Sequence, residues 1–168
     1  MRSSSASLDR LAVDAGPLIA LARLNLLYLP SQMFERVLIT DVVAAECLAN
    51  PNYPEGDAIQ SALKQGMLEQ QTWSEPQSAG MWNLDMGEAS TIDVAIRLEA
   101  AILVDDRAAR RIAQKFELPT VGTCGLLLLA KRQGKVDEIK PLLNRLVNSG
   151  YYLGSGLVNQ ILSLAGES

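Results

Sequence analysis

Apolar residues in this chain fall into two kinds of run, and the two alternate. Leu11-Ala12-Val13 and Ala101-Ile102-Leu103-Val104 are short and unbroken, the pattern of a strand buried on both faces of a parallel sheet. Val37 to Thr40 and Pro119 to Val121 read the same way, and Met67 to Trp73 reads as a further short strand. Between these lie segments with helical spacing. The first runs from Leu18 to Arg23, with Pro17 suited to its first turn. The second is capped by Thr40 or Asp41 and reaches Ala49. Asn50-Pro51-Asn52-Tyr53-Pro54 breaks the chain, because two prolines bias the residues before them away from helix. Helix resumes from Gly56 to Gln65, and Ser74 to Gly80 is loop. Further helices are predicted from Gly87 or Glu88 to Leu98, from Arg107 to Phe116, and from Gly125 to Gln133, where Gly134 stops the last. Val136, Ile139, Leu142, Leu143, Leu146 and Val147 mark an amphipathic helix closed by Gly150, and Leu157 to Leu164 a last short one. Strand alternating with helix predicts an α/β fold with a central, mostly parallel sheet flanked by helices.

Four acidic residues interrupt this apolar pattern. Asp14 closes the first strand and Asp105 the strand that begins at Ala101, so both face the crevice where open α/β sheets bind ligands. Glu46 lies four and three residues after Val42 and Val43, and Glu88 four before Ile92, spacings that bring side chains onto one helix face. Carboxylates gathered at a core edge repel one another and lose hydration, and a divalent cation is the obvious counter-charge. Each acid also has a plainer use. Asp14, Asp105 or Asp106 can cap the helix that follows, and Glu88 in a first turn favours the helix dipole. Glu46, in mid-helix, has no capping role. Asp85, Asp93 and Asp106 compete for the same roles; Asp93 falls off the apolar face, and Asp106 takes an outer position.

Composition narrows the chemistry. The chain has 168 residues and no histidine, which excludes Ser-His-Asp and Cys-His catalysis and the commonest zinc ligand. Cys47 and Cys124 stand far apart among apolar neighbours and read as reduced core residues. Oxygen ligands alone point to Mg²⁺ or Mn²⁺. The net charge of −4 hides an uneven spread: nine of the 15 Lys and Arg residues fall between Arg107 and Arg145, against three acids. Arg107, Arg110, Arg111 and Lys115 sit on a helix whose apolar side is read as Ala108, Ile112, Phe116 or nearby positions. They give a polyanion a way towards the carboxylates, and Arg107 or Arg110 is placed to hold a phosphate. An ordinary solvated helix face explains the same charges. The length suits one domain, expected over residues 11–166 after a frayed tail over 1–10. The longest apolar run, Leu126 to Ala130, is too short to span a bilayer, and a cytoplasmic protein without a membrane segment is expected.

These segments together resemble the PIN-domain family. Val13-Asp14-Ala15-Gly16-Pro17-Leu18 is similar to its opening motif, and Ile39-Thr40-Asp41-Val42-Val43-Ala44-Ala45-Glu46 to its second. Gly87-Glu88-Ala89-Ser90 and Leu103-Val104-Asp105-Asp106-Arg107, with Arg110, resemble the third and fourth blocks of a subgroup, and Val121-Gly122-Thr123-Cys124-Gly125, Ala130-Lys131 and Gly134 continue the likeness. The resemblance implies a three-layer α/β sandwich and a Mg²⁺- or Mn²⁺-dependent ribonuclease, often the VapC-like toxin of a toxin–antitoxin pair. Asp14, Glu46, Glu88 and Asp105 would then be its catalytic metal ligands, with Asp106 outer or alternative. It also implies RNA as substrate, a small antitoxin protein as partner, and a homodimer, for which Leu26, Leu27, Tyr28 and Leu29 read as exposed apolar surface. The chain departs from the family pattern in carrying Ala15-Gly16 where a hydroxyl residue is usual, and Arg107 where many relatives have another Asp. An RNA-processing nuclease without a toxin role, or a catalytically silent binding module, are the alternatives. A receiver-like or haloacid-dehalogenase-like phosphoryl-transfer domain fits poorly, since the position two after Asp14 is Gly16.

Overall fold

The computed structural model describes residues 9–74 and 82–168. Of the frayed tail expected over 1–10, residues 1–8 lie outside those described, while Arg10 belongs to the first strand; of the loop expected over 74–80, residues 75–80 lie outside. Strands β1 (Arg10–Val13), β2 (Arg36–Thr40), β3 (Glu69–Gln71), β4 (Ala101–Leu103) and β5 (Thr120–Val121) form one sheet in the order β3-β2-β1-β4-β5. Every neighbouring pair is parallel.

Period-two alternation sorts the strand side chains into two cores. Leu11, Val13, Val37, Ile39, Ala101 and Leu103 pack on one face, while Ala12, Leu38, Ile102 and Val104 pack on the other. The first face is covered by helices α1 (Ala15–Arg23), α2 (Leu29–Met33), α3 (Asp41–Leu48), α4 (Pro54–Lys64), α7 (Thr123–Arg132), α8 (Lys140–Asn148) and α9 (Ser155–Leu164). The second is covered by α5 (Met86–Arg97) and α6 (Arg107–Lys115). Both faces being buried explains why the strands are unbroken apolar runs. The expected three-layer α/β architecture is what the chain adopts.

Several elements differ from expectation. Helix α2 follows Asn25, and Pro30 occupies its first turn. Leu26, Leu27 and Leu29 are buried in the core, and only Tyr28 of that run is exposed, so the run offers no apolar surface for pairing two copies. Strand β3 is confined to Glu69–Gln71, three polar residues at the edge of the sheet. The buried side of α6 is Ala109 and Ala113 with part of Ile112, one position on from the face read from Ala108; Phe116 is exposed and meets Trp82 edge-on at 5.6 Å. Helix α8 starts at Lys140, where Glu167 accepts hydrogen bonds from the Ile139 and Lys140 N–H groups and from Lys131 Nζ. A carboxylate at that position satisfies helix-end donors that otherwise lack partners.

Candidate active site

The strand order reverses between β1 and β4, and the crevice beyond their carboxyl ends is the usual ligand position in such sheets. The Asp14 N–H donates to Leu103 O at 3.0 Å, which sets the end of β1 beside the end of β4. Asp14 stands at the N-cap position of α1, yet its side chain makes no capping bond. It is 7% exposed, and its Oδ1 has no hydrogen-bond partner among the described residues. Burial raises its pKa from 3.8 to about 7; the Ala15 N–H opposes this, and Asp85, Glu46 and Asp106 add to it. The capping explanation of Asp14 therefore fails on geometry.

Glu46 reaches the same crevice from α3. The Thr40 hydroxyl accepts from the Val43 N–H at 3.1 Å and lies 2.7 Å from the Ser90 hydroxyl, tying the start of α3 to the start of α5. The Glu46 carboxylate then sits over Gly87, where any Cβ would collide with it. Glu46 itself stays open to solvent and not within a core edge. Its pKa is raised by what burial it has and by Asp85, against a hydrogen bond from Gly87.

Asp85 is the acid that sequence reasoning undervalued. It caps α5 by accepting from the Glu88 N–H at 2.8 Å, and its charge acts on Asp14, Glu46 and Glu88 alike. The signal was present as Asp85-Met86-Gly87-Glu88, the spacing of a capping box. Glu88 is half-buried, and burial, its hydrogen bond with Asp85 and the charges of Asp85, Asp106 and Asp14 all raise its pKa. Asp106 caps α6 through the Ala109 N–H at 2.9 Å while facing Asp14 and Glu88. Asp93 lies elsewhere, bonded to Trp73 Nε1 at 2.8 Å and paired with Arg97.

Asp105 is held differently from the rest. Its Oδ1 accepts from the Thr123 N–H at 2.7 Å, and its Oδ2 from the Thr123 hydroxyl at 2.6 Å and from the Tyr151 hydroxyl. Thr123 was read from sequence only as part of the likeness over residues 121–125, without a role, and Tyr151 was not read at all. Tyr151 is 46 residues from Asp105, and no local pattern marks so distant a partner. Cys47 and Cys124 are buried and unbridged. Burial with Glu46 and Asp14 pushes the Cys47 thiol up to about 12, and burial with Asp105 pushes that of Cys124 to about 11, so both act as core residues.

Among the described residues, no three acidic or cysteine side chains converge tightly enough to form a ready coordination shell. The donor set nonetheless fits a hard cation. It is all oxygen, one buried Asp14 oxygen lacks any partner, and burial, with the neighbouring carboxylate charges adding to it, raises the pKa values of Asp14, Glu46 and Glu88. Beside the crevice runs a groove of about 860 Å³, lined among others by Asp105, Asp106, Arg107, Arg110 and Tyr152. Arg107 is exposed and Arg110 half-buried, and neither forms an ion pair among the described residues.

Gly122 joins the two regions. A Cβ there would lie 2.8 Å from Arg110 Nη1 and 2.9 Å from Asp105 Oδ1, so only a residue without a side chain lets both groups share that space. If the crevice is catalytic, Gly122→Ala is expected to leave a folded protein whose activity falls on the order of 100-fold, the scale of an ångström-level misplacement. Circular dichroism with cleavage rates would check this, and an unimpaired Gly122→Ala enzyme would dissociate these two groups from the reaction.

A parallel α/β sheet with carboxylates gathered at its switch point, basic side chains alongside and no histidine has the make-up of a nuclease. The family model DUF3368, a PIN domain, matches residues 10–167, and the chain belongs to that family. PIN domains are generally nucleases and typically use divalent metals. No curated protein and no solved structure gives a significant match. Among the described residues no helix is long and apolar enough to cross a membrane.

Proposed function

We propose that this protein is a Mg²⁺- or Mn²⁺-dependent endoribonuclease, acting as the toxin of a VapBC-like toxin–antitoxin pair. The observation that carries the catalytic reading is Asp14, a buried carboxylate with an unpartnered oxygen, facing Asp85, Glu46 and Asp106. Asp14, Glu46, Glu88 and Asp105 would hold the cation, with Asp106 and Asp85 beside them. When bound, the ion supplies activation of a water molecule and neutralises charge gathering on the phosphodiester. Arg107 and Arg110 hold the adjacent phosphate by charge-assisted hydrogen bonds, on the side of the crevice where the groove opens. No imidazole is needed.

The toxin role, pairing of two copies and a small antitoxin partner rest on the motif resemblance, with no further support from the fold. Expression of the chain alone is expected to arrest growth, and co-expression of the small protein encoded beside it to restore growth. The purified protein is expected to cut single-stranded RNA with Mn²⁺ and not with a chelator. Cleavage without toxicity would leave an RNA-processing nuclease. A folded protein that neither binds Mn²⁺ nor cuts RNA would be a silent binding module.

A further inference from the structure

From the geometry around Asp105 we infer that Tyr151 is a positioning residue of the site, whose hydroxyl fixes the plane of the Asp105 carboxylate; this rests on the nuclease reading. Helix α8 ends at Asn148 with Ser149 as its C-cap, and Gly150 takes a positive φ of 90°, turning the chain back on itself. The Tyr151 N–H then bonds to Leu146 O at 3.1 Å, which anchors the residue at the end of the helix. Its side chain runs inward over α1, and the hydroxyl stands 3.4 Å from where a Cβ on Gly16 would lie. A methyl group at residue 16 would just touch the hydroxyl, so anything larger there competes with the phenol for the same space.

At Asp105 the donors are unequally shared. Oδ2 receives two hydroxyls, from Thr123 and Tyr151, whereas Oδ1 receives one N–H. A carboxylate oxygen has about two lone-pair sites, so Oδ2 is filled and Oδ1 keeps one site open. Thr123 alone grips both oxygens from one side; Tyr151 adds a second direction and stops the carboxylate from swinging. Partners of this kind orient a metal ligand, and their loss typically weakens metal affinity or activity by 10–100-fold.

The test is Tyr151→Phe, which removes only the hydroxyl. The Mn²⁺ concentration giving half-maximal thermal stabilisation, measured without RNA, is expected to rise about tenfold. The kcat for RNA should fall by a similar factor with KM unchanged, while the metal-free melting temperature moves little. Adding Gly16→Ser to Tyr151→Phe places a hydroxyl in the vacated space and should recover most of the Mn²⁺ affinity. Should Tyr151→Phe fold poorly, Gly16→Val displaces the phenol without altering it and should give the same loss. Parental Mn²⁺ affinity and kcat in both single variants would overturn the proposal while leaving the nuclease standing. A parent that shows neither Mn²⁺-dependent stabilisation nor cleavage would overturn both.

Discussion

Asp14→Asn is expected to abolish Mn²⁺-dependent RNA cleavage, by on the order of 10³-fold, while leaving the fold intact. That factor corresponds to roughly 4 kcal/mol of lost transition-state stabilisation, within the several kcal/mol that a bound cation supplies. The amide keeps the shape of the side chain and removes the charge that its position most directly offers to a cation. Glu46→Gln and Asp105→Asn should follow with large losses. Asp93→Asn serves as the control, because Asp93 is bonded to Trp73 and Arg97 outside the crevice. Rates measured side by side, with nuclease contamination excluded, decide the matter; parental cleavage by all three variants would show that the acids are not catalytic.

The second large effect is on stability without metal. Folded Asp14 holds its proton up to about pH 7, against 3.8 for the free side chain. The folded state therefore binds more protons than the unfolded chain between those values, and stability falls as pH rises through that window. The difference amounts to about 4 kcal/mol. Glu46 and Glu88 act in the same direction. Glu167 works oppositely: despite burial, hydrogen bonds from Ile139, Lys131 and Lys140 hold it down at about 2, so its contribution is present above pH 4.5 and is lost as pH falls toward 2. The metal-free melting temperature is thus expected to peak between about pH 4 and 5 and to decline towards pH 8. In Asp14→Asn that decline should flatten. A buried amide without partners costs about 1–3 kcal/mol, so the variant should end about 1–3 kcal/mol more stable than the parent at pH 8. An unchanged slope, or a less stable variant at pH 8, would contradict the burial of a carboxylate with one oxygen unpartnered.

Much of this site was legible because its positions are tied to strand ends. An apolar run followed at once by Asp marks both a buried strand and the point where it meets the crevice, so Asp14 and Asp105 could be placed without a fold. Glu46 was visible through the absence of any local use for a mid-helix acid. Asp85 was harder: before the helix is located, a loop acid ahead of it has no evident direction, although its capping spacing to Glu88 was there to read. The leucines at 26, 27 and 29 were misread because the turn after Asn25 and the five-residue α2 that follows it are too short to show periodicity. Tyr151 and Thr123 belong to contacts between distant segments, and their roles appear only once the sheet brings α1, β4 and the start of α7 together.

The borders of the sheet bear on how anything can attach to this protein. Strand β3 exposes Glu69 and Gln70, with Arg36 of the neighbouring strand bonded to Glu69, and β5 is only two residues long. A short charged border on one side and a two-residue border on the other both resist pairing with a further strand from another chain. Neither aggregation by strand addition nor recognition of a partner peptide by extending the ladder is favoured. That leaves the helix surfaces and the groove beside Asp105 and Arg110 as the places where side-chain charge and shape, and not backbone hydrogen bonds, are on offer.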